Sequence, residues 1–147
     1  MRRIVTAVIA TPLLVVTSVF AADQAPVDTR QFVDMPAGAR VLLRQEMLDN
    51  LGAITEIFGY IGEGKLDAAA DVADQRLGRG SMGKYMGNRN APGRYMPQPM
   101  HAFGFQMHDD ATEFAAVARK GDTKGARAAF QKIMGDCIGC HANYRTN

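Results

Sequence analysis

The sequence predicts an all-α protein, an antiparallel four-helix bundle. Three observations lead there. Apolar residues recur at helical spacing through the long segments, glycine-based stops divide those segments into four, and no run alternates in the manner of a strand. Two of the three connections are short and one is long, a pattern that suits antiparallel neighbours.

The first stretch, MRRIVTAVIATPLLVVTSVFAADQ, stands apart from that pattern. Arg2 and Arg3 form a basic start, and Ile4 to Phe20 is apolar apart from Thr, Ser and one Pro. Small residues then surround Ala21. This is the form of a secretory signal, so residues 1–21 are expected to be removed and the protein to be periplasmic. A membrane anchor needs about 20 apolar residues, and this run is shorter and holds Pro12. No membrane span is therefore expected after cleavage. Residues 22–147 suffice for a single domain with a real core.

Of the 17 basic residues, Arg2 and Arg3 leave with the leader, so 15 Lys and Arg face 15 Asp and Glu. A nearly neutral chain argues against nucleic acid as partner. The charge is unevenly spread. Between Gln75 and His108 lie Arg76, Arg79, Lys84, Arg89 and Arg94 with no acid at all. That stretch is either a docking surface for an acidic partner or a solvated loop.

Residues 22–35 are polar and irregular. The first helix is expected from Pro36, with Asp34 as candidate cap and Gly62 and Gly64 as the stop. Leu43, Met47, Leu51, Ile54, Phe58 and Ile61 form one stripe along it, stepping by three or four residues. Gly52 and Gly59 lie on a neighbouring face, where a second helix or a second copy in a homodimer would approach closely. A shorter second helix is expected over about residues 66–77, rich in alanine. About 20 residues dense in Gly, Pro and Asn follow, a length that is uncommon inside a compact domain and usually functional or mobile. The third helix is expected from about Pro99 to Lys120, ended by Gly121. Asp122 then caps a fourth, from about Thr123 to Tyr144, with Ala126, Phe130, Ile133, Met134, Cys137 and His141 on its inward stripe.

The chain has two cysteines, and both lie in CIGCH near its end. A disulfide across C-x-x-C closes a tiny loop and staples nothing. C-x-x-C-H is the attachment signature of a covalent haem. On a helix Cys137 and Cys140 share a face, spaced for the two vinyl groups along one edge of a porphyrin. His141, four residues from Cys137, is on the same side and can reach the iron. Export agrees, because attachment takes place outside the cytoplasm. A thioredoxin-type pair would sit at a strand–helix junction, and a structural zinc site would need a second ligand pair. Neither context is present. One haem c, with its iron, is the expected cofactor.

On the residues alone, the other side of the iron is open. Met47 is a soft thioether on the inward stripe, yet a methionine there is usually core. His101 and His108, seven apart on the third helix, compete with it, as do Met82, Met86, Met96, Met100 and Met107. An open site is the remaining option.

GDCIGCHANYR on the last helix resembles the cytochrome c-prime family, the class II c-type cytochromes, with the likeness running over residues 32–145 and strongest in KGDTKGARAAFQKIMGDCIGCHANYR. The middle loop does not follow the family pattern. The resemblance implies Cys137 and Cys140 as thioether carriers, His141 as proximal ligand and Arg145 as a haem contact. The bland alternative for Arg145 is a cation at a helix C-terminus. QEMLDNLGAI is similar to the segment that supplies the distal methionine in the low-spin branch, which implies Met47 on the iron. Arg44 and Gln45 match positions that in the family contact the haem. An electron carrier serving redox partner proteins follows, and not an enzyme. The alternative is a five-coordinate member that binds nitric oxide or carbon monoxide. A third reading takes the methionines and histidine of SMGKYM and RYMPQPMH as a copper(I) site.

Overall fold

The structure, a computed structural model, describes residues 26–146. The expected signal segment lies outside the described residues. Four helices make the fold: α1 (Ala37–Gly62), α2 (Leu66–Val72), α3 (Gln98–Ala118) and α4 (Thr123–Asn143). Together they form the all-α bundle that the sequence predicts. None of the helices is long and apolar enough to cross a membrane.

Helix ends fall where their chemistry demands. Gly64 (φ 72°) and Gly121 (φ 73°) take the left-handed conformation that stops α1 and α3. Asp122 caps α4, accepting from the Gly125 N–H at 2.8 Å. The cap expected of Asp34 is not made, for α1 begins behind Pro36 without a side-chain cap. A π-turn, Ala73–Leu77, prolongs α2 to the length expected.

Residues 26–36 correct the expectation of an irregular lead-in. Gln31–Phe32 (β1) pairs in parallel with Tyr144–Arg145 (β2), and the Val33 N–H donates to the Arg145 carbonyl at 2.8 Å. Val33 and Met35 beyond it are buried. Two residues of pairing are too few to leave a period in the sequence.

Two apolar clusters hold the bundle. The larger joins Ala53, Ile57 and Ile61 of α1 to α2, the π-turn, Phe114 of α3 and Ile133 of α4. The smaller joins Val33, Met35, Ala39, Leu43 and Met100. The stripe expected on α1 is thus divided. Leu51 and Phe58 are exposed, whereas Ala53 and Ile57 take the buried places. The helix carries two apolar faces, and only one of them meets α2. Gly52 and the buried alanines of α2 are accounted for within the chain. A Cβ on Gly52 would come within 3.0 Å of the Arg76 guanidinium.

The long connection is built of short turns, Arg79–Ser81 and Pro92–Tyr95 among them. Its cations are largely engaged. Arg76 binds Asp49 and Glu56, Arg79 binds Asp109, and Lys84 approaches Asp49 at 3.5 Å. The basic stretch is therefore tied down on acids of α1 and α3, and much less of its charge is available to a partner than its sequence implies.

Candidate haem site

The second apolar face of α1 looks onto a cavity of about 370 Å³ between α1, α3 and α4. Leu48, Leu51 and Ile54 form one wall and Phe103, Met107 and Met134 the other, with Cys137, Cys140 and His141 along α4. A second cavity of about 370 Å³ shares Arg44, Met47, Gly104, Cys140 and His141 with the first. It opens toward Arg30, Arg40, Tyr144 and Arg145.

Local structure sets the two cysteines. Both are half-buried and free, on successive turns of one α4 face. The glycine between them has a steric reason. A Cβ on Gly139 would come within 2.5 Å of the Phe103 ring, so only glycine lets α3 lie against the C-x-x-C turn. Phe103 in turn meets Tyr144 edge-on, with centroids 6.4 Å apart. Burial pushes both thiols up from their ordinary value, with the Asp136 charge adding to Cys137 and Cys137 itself adding to Cys140. Such thiols stay protonated at neutral pH, unlike the low-pKa nucleophile of a dithiol oxidoreductase.

The residues fit a porphyrin. Leu48 and Leu51 are 63% and 61% exposed along this wall, apolar surface that a flat apolar group would cover. Gly104 borders the cavities, and a Cβ there would meet nothing within 4 Å, so its absence adds open space. Four arginines at one end match a pair of carboxylates. Among these, Arg30 is bound to Asp28 at 2.8 Å and Arg40 donates to the Met35 carbonyl at 2.7 Å. Arg145 lies on β2, directly after Tyr144, the C-cap of α4. Its guanidinium covers the Phe32 ring at 5.1 Å. Its buried Nε is 3.4 Å from Asp28 but makes no well-directed hydrogen bond.

The competitors for the distal position separate in space. Neither His101 nor His108 borders the cavities that hold Cys140 and His141. Both face a third cavity, of about 400 Å³, on the far side of Met47. Among the described residues, Met47 is the one methionine common to both cavities that contain Cys140 and His141. Met96 and Met100 reach only one of them, Met107 and Met134 only the other, and Met82 and Met86 neither. Arg44 borders both, while Gln45 borders neither.

Sequence reading missed Arg30 and Arg40 at the mouth of the second cavity, and Asp136 on the wall of the first with Asp110 facing it from α3. Asp110 on α3 is buried at 8% exposure and accepts from Gln106 Nε2 at 3.1 Å. Asp136 on α4, beside Cys137, has a buried Oδ2 without a donor. Burial first, then the Asp110 charge and a shared hydrogen bond, push its carboxyl up to about 6. A proton on Asp136 supplies the donor that two carboxylates lack. Because the folded-state value is raised, the fold gives up stability as pH climbs from the ordinary carboxylate range through about 6, and is level above it. The Asp136→Asn variant is expected to lose that slope. Its thermal midpoint, measured from pH 4 to 8, should exceed that of the wild type by a margin that widens with pH. The ceiling is about 1.4 kcal/mol per pH unit, lowered by partial solvent screening.

A helical bundle that presents C-x-x-C-H from its last helix to an apolar crevice defines a c-type haem protein. Residues 97–145, which span α3, α4 and β2, match the family model described as Cytochrome C′. Covalent haem c with iron is the cofactor of that family. No curated protein and no solved structure matches the chain. The matched segment contains Cys137, Cys140, His141 and Arg145 and stops short of α1, which bears Met47.

Proposed function

We propose that this protein is an exported, monohaem electron carrier and not an enzyme, working in the periplasm with redox partner proteins. Cys137 and Cys140 carry the haem as thioethers, His141 binds its iron from α4, and Met47 binds from α1. The observation that carries the reading is the placement of Met47 and His141 on the same two cavities, from opposite helices. When bound, the haem supplies a one-electron iron couple.

The side chains have distinct tasks. Leu48, Leu51, Phe103 and Met134 exclude water, which holds the iron in a low dielectric. The arginines offset propionate charge. A thioether from a helix of the bundle stays in place in both oxidation states, so little need rearrange on electron arrival, and methionine raises the potential. With Arg76, Arg79 and Lys84 of the basic stretch already paired, Arg89 and Arg94 are the part of it left for an acidic partner.

Carbon monoxide tests this reading. The reduced protein is expected to keep an unchanged low-spin absorption spectrum under the gas, because both axial positions are filled. A large shift of the principal band would instead make it a five-coordinate binder of nitric oxide or carbon monoxide.

A further inference from the structure

We propose that the third cavity, behind Met47, is a binding site for a soft monovalent metal ion, copper(I). Apart from Met1 the sequence has eight methionines. Met82, Met86, Met96 and Met107 border this one cavity together with His101 and His108, the two histidines outside the C-x-x-C-H motif. Thioether and neutral imidazole are the donors that favour copper(I) over harder ions. No group of three or more His, Cys, Asp or Glu that could hold a metal occurs among the described residues.

The histidines provide the second observation. His101 Nε2 lies 2.5 Å from the Gly93 carbonyl, and His108 Nδ1 lies 2.6 Å from the Leu77 carbonyl. A carbonyl oxygen only accepts, so each of those nitrogens carries the proton. In the neutral ring the other nitrogen, Nδ1 of His101 and Nε2 of His108, is left with a lone pair. A ring fixed by donation to a backbone carbonyl is the usual setting of a metal-binding histidine. His101 is held further by stacking on Phe105, with centroids 5.6 Å apart.

Packing accounts for Met96 and Met107, which lie against the two apolar clusters, but not for the other two. Met86 is 88% exposed and Met82 40% exposed, where core-filling residues would be buried. A formed turn presents Met86: Gly83 (φ 82°) and Gly87 (φ 79°) bracket it, and its N–H donates to the Gly83 carbonyl at 2.8 Å. The nearby cations do not forbid a metal, since Lys84 faces Asp49 and Glu46 borders the same cavity.

The site is tested with the holoprotein and copper(I) bicinchoninate under anaerobic conditions. Wild type is expected to withdraw one copper(I) per chain from the coloured chelate. The triple variant Met82→Leu, Met86→Leu, Met96→Leu should lose affinity by roughly 100-fold, with its helical circular dichroism retained. A thiol assay on the same sample must read zero, which keeps copper from being held by cysteines not bound to haem. The two readings can therefore fail separately. Wild type that leaves the chelate intact overturns the site, and so does a folded triple variant that binds like the wild type.

Discussion

Substituting Cys137→Ala together with Cys140→Ala is expected to abolish retention of the pigment through acidified acetone, while the wild type keeps all of it in the protein pellet. The reason is the kind of bond at stake. Ligation of iron by an imidazole is reversible and is lost when acid protonates the ring, whereas a thioether survives both acid and organic solvent. The cysteines contribute little else. They make no disulfide, and a bridge between them would close too small a loop to constrain the unfolded chain. Trading a half-buried thiol for a methyl should cost the apoprotein no more than about 1 kcal/mol. A variant that remains helical yet gives up its colour therefore separates attachment from folding. The single substitution Cys140→Ala should retain the pigment through Cys137 alone and shift the alkaline pyridine spectrum toward that of a haem with one free vinyl group. Pigment that stays with the doubly substituted chain would remove both residues from the site.

The motif behind the proposed site is legible in the sequence because its residues are contiguous. C-x-x-C-H sits within five residues of one helix, and local spacing fixes which side chains share a face. The same is true of the helix ends, where Gly121 and Asp122 stop α3 and cap α4 through nearest neighbours. What the sequence hid is what distance brings together. Arg30 reaches the cavity mouth through the two-residue pairing of β1 with β2, and that pairing has no local signature. Asp110 and Asp136 meet across two helices. Arg76, Arg79 and Lys84 read as a basic patch because their acids, Asp49, Glu56 and Asp109, lie on other elements. The α1 stripe misled for a related reason. A helix wedged between a packed core and a cofactor crevice has two apolar faces, and a single period averages them into one. Leu51, assigned to the core by its spacing, is therefore a crevice residue that protein alone does not cover.

The decisive residue is Met47, because core packing and iron ligation both predict a methionine at that place. Alanine alone would not tell them apart. Met47→Ala removes a partly buried side chain beside Leu43 and Met100 and would destabilise either kind of protein, by up to about 2 kcal/mol for a site of intermediate exposure. Met47→Leu supplies the contrast, since that exchange keeps the volume and costs under about 1.5 kcal/mol in a packed core. If Met47 only packs, the leucine protein keeps the wild-type spectrum. If its sulfur binds iron, leucine and alanine behave alike. Both variants should turn high-spin, their reduced forms should acquire a large spectral response to carbon monoxide, and their potentials should fall on the order of 100 mV, within the roughly 0.8 V that axial ligands command. The geometry narrows what else could answer. His101 and His108 have each committed one nitrogen to a backbone carbonyl and border the cavity on the other side of α1's methionine. No other described methionine reaches both cavities that contain His141. A low-spin spectrum that survives Met47→Leu would therefore take Met47 off the iron and leave a methionine that borders one of those cavities, Met96 or Met100 on one and Met107 or Met134 on the other, to replace it.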